Sequence, residues 1–176
     1  VDGSTTGYSI SSNTNANGFR LTEYINKDIK ITGAGSYINP WKFVEVPKVP
    51  LKVSDGGEET TPYLKTTIIK NTIESIKFMN TKTVPSDSIG SFDVSSNNSG
   101  KVMLWYKDID NNGLYEVFIG SNGGVMANPI SSYLFYGLTK LTSIDFTYFD
   151  TSYMTETTHM FHGAKSLTTL DLSNFD

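Results

Sequence analysis

Apolar positions recur at a fixed interval in the last quarter of the chain. Phe135, Leu138, Leu141, Ile144, Phe146 and Phe149 are answered by Phe161, Ala164, Leu167, Leu170, Leu172 and Phe175, each pair lying 26 residues apart. Asp145 and Asp150 match Asp171 and Asp176 at the same spacing, and Gly137 matches Gly163. A period of this length predicts a solenoid, in which a single unit cannot bury its own apolar face and must be covered by a neighbour.

Within each copy the short-range pattern predicts a strand. In Ser143–Thr147 and Thr169–Ser173 alternate residues point to opposite faces. Ile144, Phe146, Leu170 and Leu172 are expected inside, as parallel neighbours sharing one interior. Ser143, Asp145 and Thr147 are expected outside, stacked on Thr169, Asp171 and Ser173 to form a candidate contact surface. Asp145 over Asp171 would set like charges side by side, which costs energy unless water, a cation or a partner relieves it. Asp150, followed by Thr151 and Ser152, reads as a turn cap. Residues 132–140, and 158–166 one period later, should be turns or short helices on the outer side of each coil. The last copy reaches Asp176 uncovered, so the protein is expected to continue.

Upstream, the pattern predicts mainly β structure. Val102–Tyr106 and Leu114–Ile119 form the clearest strand pair, joined by a loop of Asp, Asn and Gly. Ile73–Phe78 partly alternates, with Ile76 and Phe78 on the core side. Residues 72–130 are therefore expected to form a β-rich cap over the first of about two repeats in 131–176. Residues 47–71, with Pro47, Pro50, Pro62 and a Gly- and Glu-rich run, read as a linker with a first strand. Residues 1–46 read as a small β-rich or partly disordered segment. It holds a short element at 19–25 and strand candidates at Ile29–Ile31 and Lys42–Val46. Val84 to Gly90 breaks the strand pattern.

Composition narrows the function classes. The net charge is −4 and Lys and Arg are scattered, so there is no basic stripe for nucleic acid. Cysteine is absent, which removes disulfides and thiolate chemistry. No apolar run is long enough to span a membrane and no signal-peptide pattern is present, as expected of a soluble mature or excised piece. The abundance of Asn, Ser, Thr, Gly and Tyr suits a loop-rich secreted β protein.

Two constellations point to metal chemistry. Asp108-x-Asp110-x-Asn112-Gly113 reproduces the first half of a calcium loop, with oxygen ligands at alternate positions and a glycine for the sharp turn. The second half departs from it: Ile119 stands at the twelfth position and Glu116, at the ninth, is a partial substitute. A hairpin turn rich in Asp, Asn and Gly explains the same residues. His159 and His162 would share a helical face, but the first copy has Tyr133 and Tyr136 there, which favours aromatic packing or exposure. Tyr133, Tyr136, Tyr148 and Tyr153 offer rings to a sugar or a protein, or fill space between coils. No nucleophile has a base and an orienting acid in a recognisable arrangement, so an enzyme is not expected. Gly120-Ser121-Asn122-Gly123-Gly124 lacks the Lys-Ser/Thr ending of a phosphate loop and reads as a turn.

Each copy's core, Leu-x-x-Leu-x-Leu-x-x-Phe, is close to the leucine-rich-repeat pattern, with Ile144 and Phe146 substituting in the first copy. The position usually held by a ladder-forming Asn is Phe149 or Phe175. The stretch from Asp145 to Thr155, then Met160-Phe161-His162-Gly163-Ala164 and Leu170-Asp171-Leu172-Ser173-Asn174-Phe175-Asp176, resembles the BspA-type leucine-rich-repeat family of Gram-positive surface proteins. Glu156 and Ala164 stand where that family often has Asn and Cys. Trp105-Tyr106, Gly113-Leu114-Tyr115-Glu116, Ile119-Gly120 and Gly123-Gly124-Val125 resemble the segment that precedes such repeats. The resemblance implies a non-enzymatic, extracellular protein presenting its repeats to a host or bacterial surface protein or to glycan. Ile31-Thr32-Gly33, Gly35-Ser36-Tyr37 and Asn39-Pro40-Trp41 look like the closing segment of pilin-like domains. That likeness implies an alternative: a self-assembling subunit of a pilus-like filament. A calcium-stabilised binding module is the second alternative.

Overall fold

The computed structural model describes residues 29–32, 36, 38, 42–45 and 48–175. The chain divides into two units, Val1–Lys48 and Val49–Asp176. In the first, β1 (Ile29–Thr32) pairs antiparallel with β2 (Lys42–Glu45), from Ile29 opposite Glu45 to Thr32 opposite Lys42. The element expected at 19–25 and most of the pilin-like phrase from Ile31 to Trp41 lie outside the described residues.

The second unit is mainly β. A mixed five-stranded sheet runs in the order β4 (Gly90–Asp93), β5 (Val102–Lys107), β6 (Tyr115–Ser121), β3 (Ile73–Met79), β8 (Ser143–Asp145). The β4/β5 and β5/β6 pairs are antiparallel, whereas β3 lies parallel to β6 on one side and to β8 on the other. Val102–Lys107 and Tyr115–Ser121 are the strand pair that their alternation predicts. Along β3, Ile73, Ile76 and Phe78 are buried while Lys77 is exposed, so the expected core face is the observed one. A second parallel pair joins β7 (Val125–Met126) to β9 (Phe149–Asp150).

The stretch 47–71, expected to be a linker and first strand, contributes heavily to the core. Leu51, Tyr63, Leu64 and Ile68 are buried there, and Tyr63–Lys65 and Lys70–Thr72 form short 3-10 turns. Leu64 and Lys65 both carry positive φ (48° and 58°), an unusual conformation for non-glycine residues. Neither a helical nor a strand period can be written through such a segment. Lys70 is also fully buried, its ammonium bonded to the Gly57 carbonyl and lying 5.7 Å from the centroid of the Tyr136 ring. Burial lowers its pKa, against the opposing pull of Asp55 and Glu58.

The 26-residue period is present in the coordinates as contacts between the two copies. The amides of Ser131, Tyr133, Phe135 and Gly137 donate to the carbonyls of Glu156, Thr158, Met160 and His162 at 2.9, 3.0, 2.9 and 2.9 Å. Ring pairs follow the same interval. Tyr133 stacks on His159 with centroids 5.6 Å apart, Phe135 on Phe161 at 5.2 Å, and Tyr136 on His162 at 5.4 Å. Backbone conformation repeats as well, with positive φ at Tyr133 and His159 and again at Gly137 and Gly163. A Cβ built on Gly163 would lie 3.4 Å from the Gly137 Cα, so the two glycines lie one against the other in a column.

The strand expected in the second copy does not form. Residues 169–173 have no strand partner among the described residues, and Leu170 and Leu172 are 37% and 41% exposed. In the first copy Phe146 is buried and Ile144 packs against the core, because β3 lies alongside β8 with Ile76 opposite Ile144. Among the described residues no strand covers 169–173 in this way, and the apolar gain of about 1.5–3 kcal/mol per large side chain is incomplete there. At the end of each copy the phenylalanines Phe149 and Phe175 join a cluster of rings. Phe149 stacks on Phe78 at 4.2 Å and Phe146 packs edge-on against Phe175 at 5.0 Å.

Candidate functional site

The expected contact surface is exposed at Ser143, Thr147, Thr169, Asp171 and Ser173, with Asp145 half-buried. Its acidic groups are engaged within the chain. Asp145 sits opposite Lys77 on β3, and its Oδ2 lies 2.9 Å from the Lys77 ammonium. Its Oδ1 accepts from the Thr147 amide at 3.0 Å and from the Thr147 hydroxyl at 2.6 Å. The expected Asp145–Asp171 stack is therefore replaced by an ion pair with the sheet. β8 is an edge strand of the sheet, so its ladder neighbour is β3, and residues 169–173 form no strand on its other side.

One small device recurs, an aspartate followed two residues later by Ser or Thr. Asp150 accepts from the amide and hydroxyl of Ser152, the cap expected from sequence, and Asp171 accepts from the amide of Ser173. Asp93 accepts from the amide and hydroxyl of Ser95 and, through its other oxygen, from the Gly100 amide. Short polar side chains that bond backbone two residues on close turns in this way. For Asp93, desolvation pushes the carboxyl pKa up, but the Ser95 and Gly100 bonds and the nearby Lys52 outweigh it, so the net shift is downward. For Asp145, desolvation likewise opposes, and Thr147 and Lys77 hold the carboxyl below its usual value.

A carboxyl with a lowered folded pKa contributes stability that is present above its unfolded value and is lost as pH falls through the folded one. The stabilisation from these groups should therefore be fully present and unchanging with pH near neutrality, and should be lost as pH falls below the ordinary value of 3.8. Asp93→Asn should lower stability at neutral pH and flatten the acid slope. Urea midpoints measured across the acid range test this, and an unchanged slope in the variant would contradict it.

The calcium-loop residues divide into two groups. Asp108 spends both oxygens on its own loop, accepting from the amides of Asn112 at 3.0 Å and Gly113 at 3.1 Å. Gly113 carries φ +83°, as the sharp turn requires. Asp110 instead converges with Glu116 and with Glu74 of β3, one oxygen from each lying within 4.8 Å of the others. The Asn112 amide nitrogen bridges Glu74 (3.1 Å) and Asp110 (2.9 Å), and the Asn112 oxygen accepts from Leu114. The oxygen set that could hold a hard cation is thus Glu74, Asp110, Glu116 and, after a side-chain turn, Asn112. Glu74 is the member that sequence spacing missed. It joins because the parallel β3/β6 pairing brings the start of β3 beside the start of β6, with Ile73 opposite Tyr115 and Ser75 opposite Glu116.

His159 and His162 are exposed and sit edge to face at 5.5 Å. Each stacks on the tyrosine one period earlier, the aromatic packing expected for them. Among the described residues neither belongs to a group of three metal-ligating side chains. Tyr133, Tyr136, His159 and His162 make a two-by-two patch of rings on the outer side of the repeats. A cleft of about 280 Å³ borders this patch and is lined by Glu58, Glu59, Tyr136, Thr139, His162 and Lys165 along with the two column glycines. Tyr153 is 63% exposed, and Tyr148 is exposed too.

Comparison with family models, with curated proteins and with solved structures found no match to this chain. Among the described residues, no helix is long and apolar enough to cross a membrane.

Proposed function

We propose that this chain is the cap and opening coils of a BspA-type leucine-rich-repeat protein, a non-enzymatic extracellular module that displays a repeated face for adhesion. What supports the reading is the repetition itself. Backbone bonds, ring stacks and positive-φ residues all recur at the interval written in the sequence. Stacked units of this kind create an extended surface rather than a deep pocket, and such surfaces suit binding to protein or glycan. Two candidate faces are the patch of Tyr133, Tyr136, His159 and His162 and, separately, the polar row Ser143, Thr147, Thr169, Asp171 and Ser173. Flat rings can stack on a sugar or anchor a protein partner, and a row of hydroxyls and carboxylates can hydrogen-bond to one. Antibody labelling and protease shaving of intact source cells test the display. Labelling of intact cells, with loss of the epitope on shaving, is the expected result. An epitope reached only after lysis would overturn the reading.

A calcium-stabilised binding module is the second reading, favoured by the approach of Glu74 to Asp110 and Glu116. Three carboxylates this close repel one another unless a cation or protons intervene. Calcium should raise the thermal midpoint of the wild type more than magnesium does, since flexible oxygen ligands suit the larger ion. Glu74→Gln should remove most of that difference and, by relieving the repulsion, should raise rather than lower the calcium-free midpoint. Equal midpoints with and without calcium in the wild type would retire this reading.

A further inference from the structure

Two Asn-Gly pairs lie among the described residues, Asn112-Gly113 in the loop between β5 and β6 and Asn122-Gly123 in the turn after β6. Asparagine is chemically labile, and a following glycine leaves its own nitrogen unshielded for attack on the asparagine side-chain carbon. Both asparagines are exposed, but their surroundings differ. At Asn112, Oδ1 accepts from the Leu114 amide at 2.7 Å, so the side chain is folded back over the intervening Gly113 nitrogen. The Gly113 N–H donates to Asp108 Oδ2 at 3.1 Å, which sets a carboxylate within reach of that proton. The Asn112 Nδ2 donates to Asp110 at 2.9 Å and to Glu74 at 3.1 Å, and these bonds hold the amide in place. At Asn122, Oδ1 accepts instead from the Lys82 amide at 3.3 Å. The Gly123 N–H donates to the Asn80 carbonyl at 3.1 Å, a neutral oxygen that takes no proton.

We propose that Asn112 is a self-modifying position, converted by its own loop to aspartate or isoaspartate. The Gly113 nitrogen bonds to the Asn112 Cγ as its proton passes to Asp108, and the Leu114 N–H steadies the negative charge that develops on Oδ1. The Cγ–Nδ2 bond then breaks, the leaving nitrogen takes up the proton held by Asp108, and ammonia departs. One water from solvent opens the resulting five-membered imide at either carbonyl, giving aspartate or isoaspartate. The reaction needs neither surface display nor a bound cation. Its product alters the loop. The two N–H bonds that bridge Glu74 and Asp110 are lost, and a carboxylate takes their place beside Glu74, Asp110 and Glu116. The tie between this loop and Glu74 of β3 thereby becomes a repulsion.

Freshly purified full chain is incubated at neutral pH, and peptide mass spectrometry with fragmentation that separates aspartate from isoaspartate follows both asparagines over time. A synthetic peptide of residues 107–115, incubated alongside, gives the rate of the same residues without the fold. Asn112 is expected to convert faster in the chain than in the peptide, and faster than Asn122 by about tenfold or more. Asp108→Asn should slow the conversion of Asn112 severalfold, whereas a loop merely loosened by the substitution would convert faster. Asn112→Asp should lower the thermal midpoint in buffer without divalent cations, and an unchanged midpoint would overturn the predicted repulsion. Conversion of Asn112 no faster in the chain than in the peptide would overturn the proposal without recourse to any variant. A rate unchanged or raised in Asp108→Asn would overturn it too.

Discussion

Phe78→Ala should destabilise the unit by about 3–5 kcal/mol, the cost of removing a fully buried ring and leaving a cavity. Phe78 has no exposed surface and joins β3 to residues 135–149, far along the chain. From the penultimate position of β3 its ring stacks on Phe149 at 4.2 Å and on Phe146 at 5.9 Å, and it meets Phe135 edge-on at 6.4 Å. Each such aromatic pair adds about 0.5–1.5 kcal/mol beyond area burial. Truncation therefore removes transfer free energy and three ring contacts together. Ile109→Ala, at a site 62% exposed, should shift stability by no more than about 0.5 kcal/mol. Urea unfolding followed by tryptophan fluorescence measures both. If the two variants had equal midpoints, the phenylalanine cluster would not be the core that joins cap and repeats.

Gly120→Ala should be the most disruptive single-methyl change, at about 1–3 kcal/mol or more. A Cβ on Gly120 would stand 1.9 Å from the carbonyl oxygen of Thr81 and 2.9 Å from the Trp105 ring. The carbonyl is backbone and cannot swing aside like the end of a flexible side chain, so the chain after β3 would have to move off β6. Gly113→Ala is the informative contrast. Nothing lies within 4 Å of its added methyl, and its cost is left-handed strain alone, about 1–2 kcal/mol, from φ +83°. Thermal or denaturant midpoints should rank Gly120→Ala below Gly113→Ala. The reverse order would mean that Thr81 does not press against β6.

The two glycines mark the boundary of what sequence reveals. Gly113 follows Asp and Asn in a loop between alternating strands, and its turn is readable from composition. Gly120 also falls in a glycine-rich stretch that reads as a turn, yet it lies inside β6, because its constraint comes from a carbonyl 39 residues earlier. The same distinction holds elsewhere. Alternation places Ile76 and Phe78 on the core side of β3, and it predicts the β5/β6 hairpin. It says nothing of β3 lying between β6 and β8, since a period of two specifies a face and not a neighbour. Lys77 therefore reaches Asp145, and Glu74 reaches Asp110, through pairings invisible along the chain. Residues 49–71 were hidden for a different reason. Tight turns with positive φ bury Tyr63, Leu64 and Lys70 without any regular spacing, while the surrounding Pro and Gly mimic a linker. The repeat was the most legible feature. The strand expected at Leu170 and Leu172 does not form, because a strand depends on a neighbour as well as on its own residues.

The central claim is that the two copies lie one on the other at an interval of 26 residues, and ring-to-ring nuclear Overhauser effects test it most directly. Contacts are predicted between Tyr133 and His159, Phe135 and Phe161, and Tyr136 and His162, all three present together in the native chain. Cross-peaks that instead link these rings at a shifted interval, or their absence from a folded sample, would contradict it.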